Sequence, residues 1–156
     1  MTIPAEGSVA PDFTLATDAG TPLTLSALRG RPVVLYFYPK DDTSGCTIES
    51  CEFRDLVPRF DAGKAQVLGI SPDSVASHVK FRDKYSLNFP LLADEGHGVA
   101  ERYGVWQQKS MYGRKYWGNA RTTFVIDAEG RIARVFEKVK PAGHAAEVAA
   151  VVAELA

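Results

Sequence analysis

The chain has 156 residues, 46% of them hydrophobic, with 18 basic and 19 acidic side chains and a formal net charge of −1. Near-neutrality excludes a general attraction for nucleic acid or anionic membranes, and the length fits one domain, 1–156, that buries a core without metal or disulfide staples. No apolar run approaches the ~18 residues of a membrane span, and Met1 to Ala10 lacks a basic region followed by an apolar stretch, so the expected setting is the cytoplasm. In chain order, Phe13 and Leu15, then Leu23 and Leu25, alternate with polar residues around Asp18-Ala19-Gly20 and predict an N-terminal β-hairpin. Ser26 to Gly30 reads as one helical turn ending at glycine. Val33 to Tyr38 is a continuous β-rich apolar run, as in a buried central strand, and Pro39 ends it. A polar loop over 40–45 leads into a helix from about Cys46 to Phe60, with Phe53, Leu56, Val57 and Phe60 at helical spacing. Val67 to Ile70 is the next buried strand, and Ser74 to Tyr85 fits an amphipathic helix through Val75, Val79 and Phe81. Leu91-Leu92 is a short strand and Gly98 to Tyr103 a short helix. Thr122 to Ile126 and Ile132 to Phe136 flank the turn Ala128-Glu129-Gly130 as a hairpin, and His144 to Leu155 is the closing helix.

Strands and helices alternate through the first two thirds, and a hairpin plus helix closes the chain. This predicts an α/β fold: a central mixed β-sheet flanked by helices on both faces, for which a thioredoxin-like fold is the simplest architecture.

Two cysteines, Cys46 and Cys51, are too few for a secreted disulfide framework, and a bridge between them would close too small a loop to constrain the unfolded chain. Chemistry, or two ordinary buried thiols, remain. Cys46 stands where a buried strand passes through a loop into a helix, the end of an α/β sheet at which sites gather. In the first turn, with Thr43 or Ser44 near the N-cap, free backbone N–H groups can donate to a thiolate. The thiolate is the reactive form, and a free cysteine has a pKa of about 8.5. A helix terminus contributes about 0.3–1 kcal/mol, which alone is too little, and Asp41 and Asp42 would oppose it if they pointed inward. Lys40 and Arg54 are the only local cations, so a residue distant in sequence is expected to supply the charge.

At these residues the chain resembles a known family. Pro39-x-x-x-Thr43-x-x-Cys46 is similar to the peroxiredoxin active-site motif, Gly7-x-x-Ala10-Pro11-Asp12-Phe13-x-Leu15 to its N-terminal signature, and Arg121-Thr122-Thr123-Phe124-Val125-Ile126-Asp127 to its arginine segment. Cys51, five residues after Cys46, and the stretch Met111 to Gly118 resemble the bacterioferritin-comigratory (PrxQ) subfamily. The resemblance implies a thiol peroxidase for hydrogen peroxide and organic hydroperoxides. Cys46 would be the peroxidatic cysteine, passing through a sulfenic acid, and Cys51 the resolving one. Thr43 would bond the peroxide, Arg121 would be the missing cation, Pro39 would shield the thiol and Glu49 would orient Arg121. It also implies thioredoxin or a similar dithiol as reductant, no cofactor and no metal, and a monomer. On the residues alone, Arg121 reads as a surface residue before a strand, Thr43 as an N-cap, Glu49 as a favourable first-turn charge and Pro39 as a strand terminator. A protein-disulfide oxidoreductase and a non-catalytic redox sensor are the alternative functions.

Spacing adds an argument of its own. Residues five apart in a regular helix lie about 8–9 Å apart, beyond the ~7 Å limit for a disulfide, so a Cys46–Cys51 bridge requires the helix over 46–52 to unwind. The histidines, His78, His97 and His144, are scattered without zinc-site spacing, and no phosphate-binding glycine loop appears. Residues 106–117 mix Trp106, Tyr112, Tyr116 and Trp117 with Lys109, Arg114 and Lys115. The first reading is a loop whose aromatics pack on the core, the second a rim of the peroxide pocket or a reductant-docking surface, and the third a single-stranded nucleic-acid patch.

Overall fold

The structure, a computed structural model, describes residues 2–155. Nine strands and four α-helices are present among them: β1 (Thr14–Thr17), β2 (Pro22–Thr24), β3 (Val33–Phe37), α1 (Ser44–Ala62), β4 (Gln66–Ser71), α2 (Val75–Tyr85), β5 (Leu91–Ala93), α3 (Gly98–Arg102), β6 (Trp106–Met111), β7 (Arg114–Asn119), β8 (Thr122–Ile126), β9 (Ile132–Phe136) and α4 (His144–Glu154). The expected turn after β2 is a 3₁₀ turn over Leu25–Leu28. Seven strands form one mixed sheet in the order β2-β1-β5-β4-β3-β8-β9, with β3 parallel to β4 and β4 to β5, and the remaining pairs antiparallel. The expected fold class, a mixed sheet flanked by helices with an N-terminal hairpin, is the observed one.

The continuous apolar run of β3 follows from its place in the middle of the sheet. All five residues are buried, Val34 and Tyr36 on the face covered by Phe53, Phe60, Phe81 and Val148, and Leu35 and Phe37 on the face they share with Phe124 of β8, which packs with Tyr103 and Val105. Helix α1 carries Pro58 in its interior, which removes one helical N–H. The carbonyl four residues earlier, that of Arg54, accepts from Asn88 Nδ2 at 3.3 Å instead.

Three expectations are corrected. Helix α1 starts two residues earlier than predicted, at Ser44, which shortens the polar loop. The buried positions of α2 are His78 and Phe81, while Val75 and Val79 are only partly covered, because His78 is hydrogen-bonded on both ring nitrogens and pays no penalty for unmet polarity. Residues 106–117 are not a loop packed on the core. They form the hairpin β6–β7, turning at Tyr112 and Gly113 with φ of 52° and 77°, and Met111, Tyr112, Tyr116 and Trp117 are exposed.

Candidate active site

The first turn of α1 follows β3 by way of residues 38–43. Thr43 is the N-cap in extended conformation, but its hydroxyl does not cap the helix; it donates to the Lys40 carbonyl at 3.0 Å, on the loop's exposed side. Cys46 lies three residues inside the helix, where backbone N–H groups lack intrahelical acceptors. It is fully buried.

The missing cation arrives through the sheet. In the antiparallel pairing of β8 with β3, Thr122 stands opposite Phe37, so Arg121 falls beside the carboxyl end of β3. Its Nη2 donates to Cys46 Sγ at 3.4 Å and its Nη1 to Glu49 Oε1 at 2.9 Å. A single guanidinium therefore bridges the thiol and a wholly buried carboxyl. Burial opposes both charges of the pair. Arg121 nevertheless stays more basic than usual, because Cys46 and Glu49 both face it. Glu49 is pushed by burial from 4.5 to about 7, Arg121 pulling the other way, and its Oε2 has no hydrogen-bond partner among the described residues.

Gly45 keeps this approach open. A Cβ there would lie 3.2 Å from Arg121 Nη2 and 3.4 Å from Pro141 Cγ. Pro39, Thr43, Gly45 and Arg121 line a cleft of about 590 Å³, whose opposite wall is Met111, Tyr116, Trp117 and Lys109 of the hairpin. Lys40, a local cation in the sequence, lines the cleft, while Arg54 is bound to Asp55 and the Tyr85 carbonyl. Asp41 and Asp42 turn away from Cys46 toward α2: Asp41 accepts from Ser77 and pairs with His78, and Asp42 accepts from Lys84 and Tyr85.

Cys51 is a free, half-buried thiol one and a half turns along the same unbroken helix, pushed up by burial with Arg54 opposing. The geometry thus brings Cys46, Glu49 and Arg121 into contact, sets Pro39 and Thr43 at the mouth, and leaves Cys51 on the far side of the helix turn. Two neighbours complete the site: Lys109, from the aromatic and basic stretch whose second reading was a rim of the pocket, and Asn119, which sequence reasoning missed. Lys109 is half-buried and loses basicity to burial and to Arg121, with Cys46 opposing. Asn119 is buried and donates to the Tyr38 carbonyl at 3.2 Å. Asn119 carries no local signal, and both residues reach the site through the hairpin β6–β7, which pairs only with itself.

A sequence model of the AhpC/TSA family matches residues 7–135. The chain is 54% identical over 142 residues to a putative Bcp peroxiredoxin of Coxiella burnetii, covering 91% of this chain and 94% of that protein. It is 47% identical over 141 residues to peroxiredoxin Bcp of Bacillus subtilis, covering 90% of each. Among solved structures, peroxiredoxin Q of Xanthomonas campestris superposes with a TM-score of 0.87 at 42% identity, over 91% of this chain and 90% of that one. The bacterioferritin comigratory protein of the same organism, solved in complexes bearing on its alkyl peroxide reduction, superposes with a TM-score of 0.89 at 39% identity, over 96% and 98%.

Proposed function

The chain belongs to the AhpC/TSA family, as a thiol peroxidase of the Bcp/PrxQ kind, and we propose that its peroxidase cycle runs through Cys46, Cys51, Arg121, Glu49, Thr43 and Pro39. The Cys46 thiolate attacks the terminal peroxide oxygen. The S–O bond forms, the O–O bond breaks, and the departing alkoxide or hydroxide takes up a proton to leave as alcohol or water. Cys46 is then a sulfenic acid. Cys51 attacks that sulfur, hydroxide leaves and is protonated to water, and a Cys46–Cys51 disulfide remains. A dithiol reductant, thioredoxin in this reading, returns both thiols. The cycle suits the reducing cytoplasm and a monomer acting as one domain; among the described residues no helix is long and apolar enough to cross a membrane.

The observation that carries the reading is the Arg121 bridge between Cys46 Sγ and Glu49 Oε1. A fixed cation there stabilises the thiolate and the charge that develops on the broken O–O bond. Thr43 stands at the cleft for the peroxide hydroxyl, and the wall of Met111, Tyr116 and Trp117 offers apolar surface to the organic part of a hydroperoxide. Cys46 and Cys51 share one regular helix, so the disulfide step includes unwinding of residues 46–52.

Stopped-flow oxidation by hydrogen peroxide and by an alkyl hydroperoxide tests this. Cys46→Ser loses turnover, and Cys51→Ser reacts once and stalls as the sulfenic acid. Equal turnover of Cys51→Ser with thioredoxin would transfer resolution to another molecule. A wild-type rate constant no greater than that of a free thiol would reject the peroxidase, and unchanged kinetics in Trp117→Ala would remove the apolar wall from substrate binding.

A further inference from the structure

Behind the loop over residues 39–43 lies a buried polar cluster that the cycle above does not use. His78 is fully buried on α2. Its Nδ1 lies 2.7 Å from Asp41 Oδ2 and its Nε2 lies 2.8 Å from the carbonyl oxygen of Leu92 on β5. A carbonyl can only accept, so Nε2 carries a proton. Asp41 also takes the Tyr38 hydroxyl on Oδ1 at 2.6 Å and the Ser77 hydroxyl on Oδ2 at 2.8 Å. With its oxygens already taking these two hydroxyls, the carboxylate has no proton to give His78, so Nδ1 must donate as well and the ring is an imidazolium.

The groups facing His78 fit that charge. They are Tyr38 at the end of β3, Asp41 in the loop, Asp73 in the β4–α2 connection, Ser77 on α2 and the Leu92 carbonyl on β5. Burial works against the charged ring, and the Asp41 hydrogen bond and carboxylate outweigh it, so His78 is more basic than usual. The polar atoms of Asp41, Asp73 and His78 lie within 4.8 Å of one another, a spacing a cation could use. Each is already hydrogen-bonded within the protein: His78 donates to Asp41 and the Leu92 carbonyl, and Asp73 Oδ2 takes Ser71 Oγ at 2.6 Å and the Asp41 N–H at 2.8 Å. These hydrogen bonds tie the cluster together.

Asp41 is the point at which the cluster meets the site. It stands in the loop between Pro39 and Thr43, and Asp42 beside it, at φ 57°, is tied to Lys84 and Tyr85. Two consecutive carboxylates therefore fasten this loop to α2, apart from α1.

We propose that His78 is a positioning residue: bonded at once to Asp41 and to the Leu92 carbonyl, it holds the Pro39–Thr43 loop over Cys46 in the geometry that peroxide attack requires. This rests on the peroxidase reading. It implies that the loop stays in place while α1 comes apart, so His78 governs the oxidation step and not the resolving step.

His78→Gln keeps a hydrogen-bonding side chain of similar reach but can donate toward only one of the two acceptors while staying neutral. The peroxide-dependent phase of Cys46 oxidation is expected to slow by about 10–100-fold, with the later, peroxide-independent disulfide phase unchanged. In wild type the oxidation rate constant should fall at high pH as His78 loses its proton, and that fall should be missing from the variant. Nitrogen-15 NMR of the reduced wild type should show both His78 ring nitrogens still protonated at a pH above the ordinary histidine value of ~6.5, where an unperturbed histidine is mostly neutral. A neutral His78 ring under those conditions overturns the inference whether or not the variant folds. So does a folded variant that oxidises at the wild-type rate, or one in which both phases slow together. A wild-type protein no faster than a free thiol would overturn the peroxidase reading itself, whatever the NMR shows.

Discussion

Replacing Glu49 by Gln probes the charge balance beneath Cys46. Glu49 is wholly buried, with one oxygen on Arg121 at 2.9 Å and the other without a partner among the described residues. Burial lifts its carboxyl from 4.5 to about 7 against the pull of Arg121, and the neighbouring Glu52 adds to the rise. The folded protein thus binds this proton more tightly than the unfolded chain. Between pH 4.5 and about 7 the folded state holds more protons, so stability falls as pH rises through that window. At ~1.36 kcal/mol per tenfold change in proton affinity, the full loss is about 3 kcal/mol. The glutamine keeps the size and the acceptor facing Arg121 Nη1 but has no proton to lose. Urea unfolding of the reduced wild type and Glu49→Gln from pH about 4 to about 8 measures the difference, in which the titrations common to both proteins cancel. The variant should gain roughly 3 kcal/mol on wild type across that range, most of it before pH 7. Parallel stability curves would refute the reasoning, because they would mean that Arg121 alone keeps the buried carboxylate ionised in the ordinary range.

Arg121→Lys leaves a single ammonium where two guanidinium nitrogens now reach Sγ and Oε1 separately. The rate constant for peroxide should fall by about 10²–10³-fold in stopped flow, while a sulfenic acid, once formed, resolves at the wild-type rate. Gly45→Ala should lower that rate constant by about tenfold, since its Cβ would press on Arg121 Nη2 and Pro141. Its melting temperature should be unchanged or higher, because Ala is favoured over Gly in a helix by up to about 1 kcal/mol. Hydrogen exchange should show amides 47–52 losing protection in the disulfide form while the part of α1 beyond Phe53 keeps it; equal protection in both redox forms would remove the unwinding step.

What the sequence made legible divides along the line between local and non-local causes. The five-residue apolar run of β3, the hairpin β8–β9 and the closing helix α4 could be read because burial period and turn residues are properties of each segment alone. Cys46 could be placed at a strand-to-helix junction for the same reason. The face of α2 could not, because a buried His78 looks like a surface residue until Asp41 and the Leu92 carbonyl are known to meet it. The hairpin β6–β7 was hidden because an exposed two-stranded ribbon has no buried face to impose alternation, although Tyr112-Gly113 carried the turn. Arg121 stands 75 residues from Cys46, and only the register of β8 on β3 brings them together. Its sequence context is that of an ordinary residue before a strand, so motif resemblance alone singled it out. Charge at the thiol is therefore a property of strand pairing, and a change that slipped β8 by one residue would remove the cation while leaving the helix, its terminus and Cys46 in place.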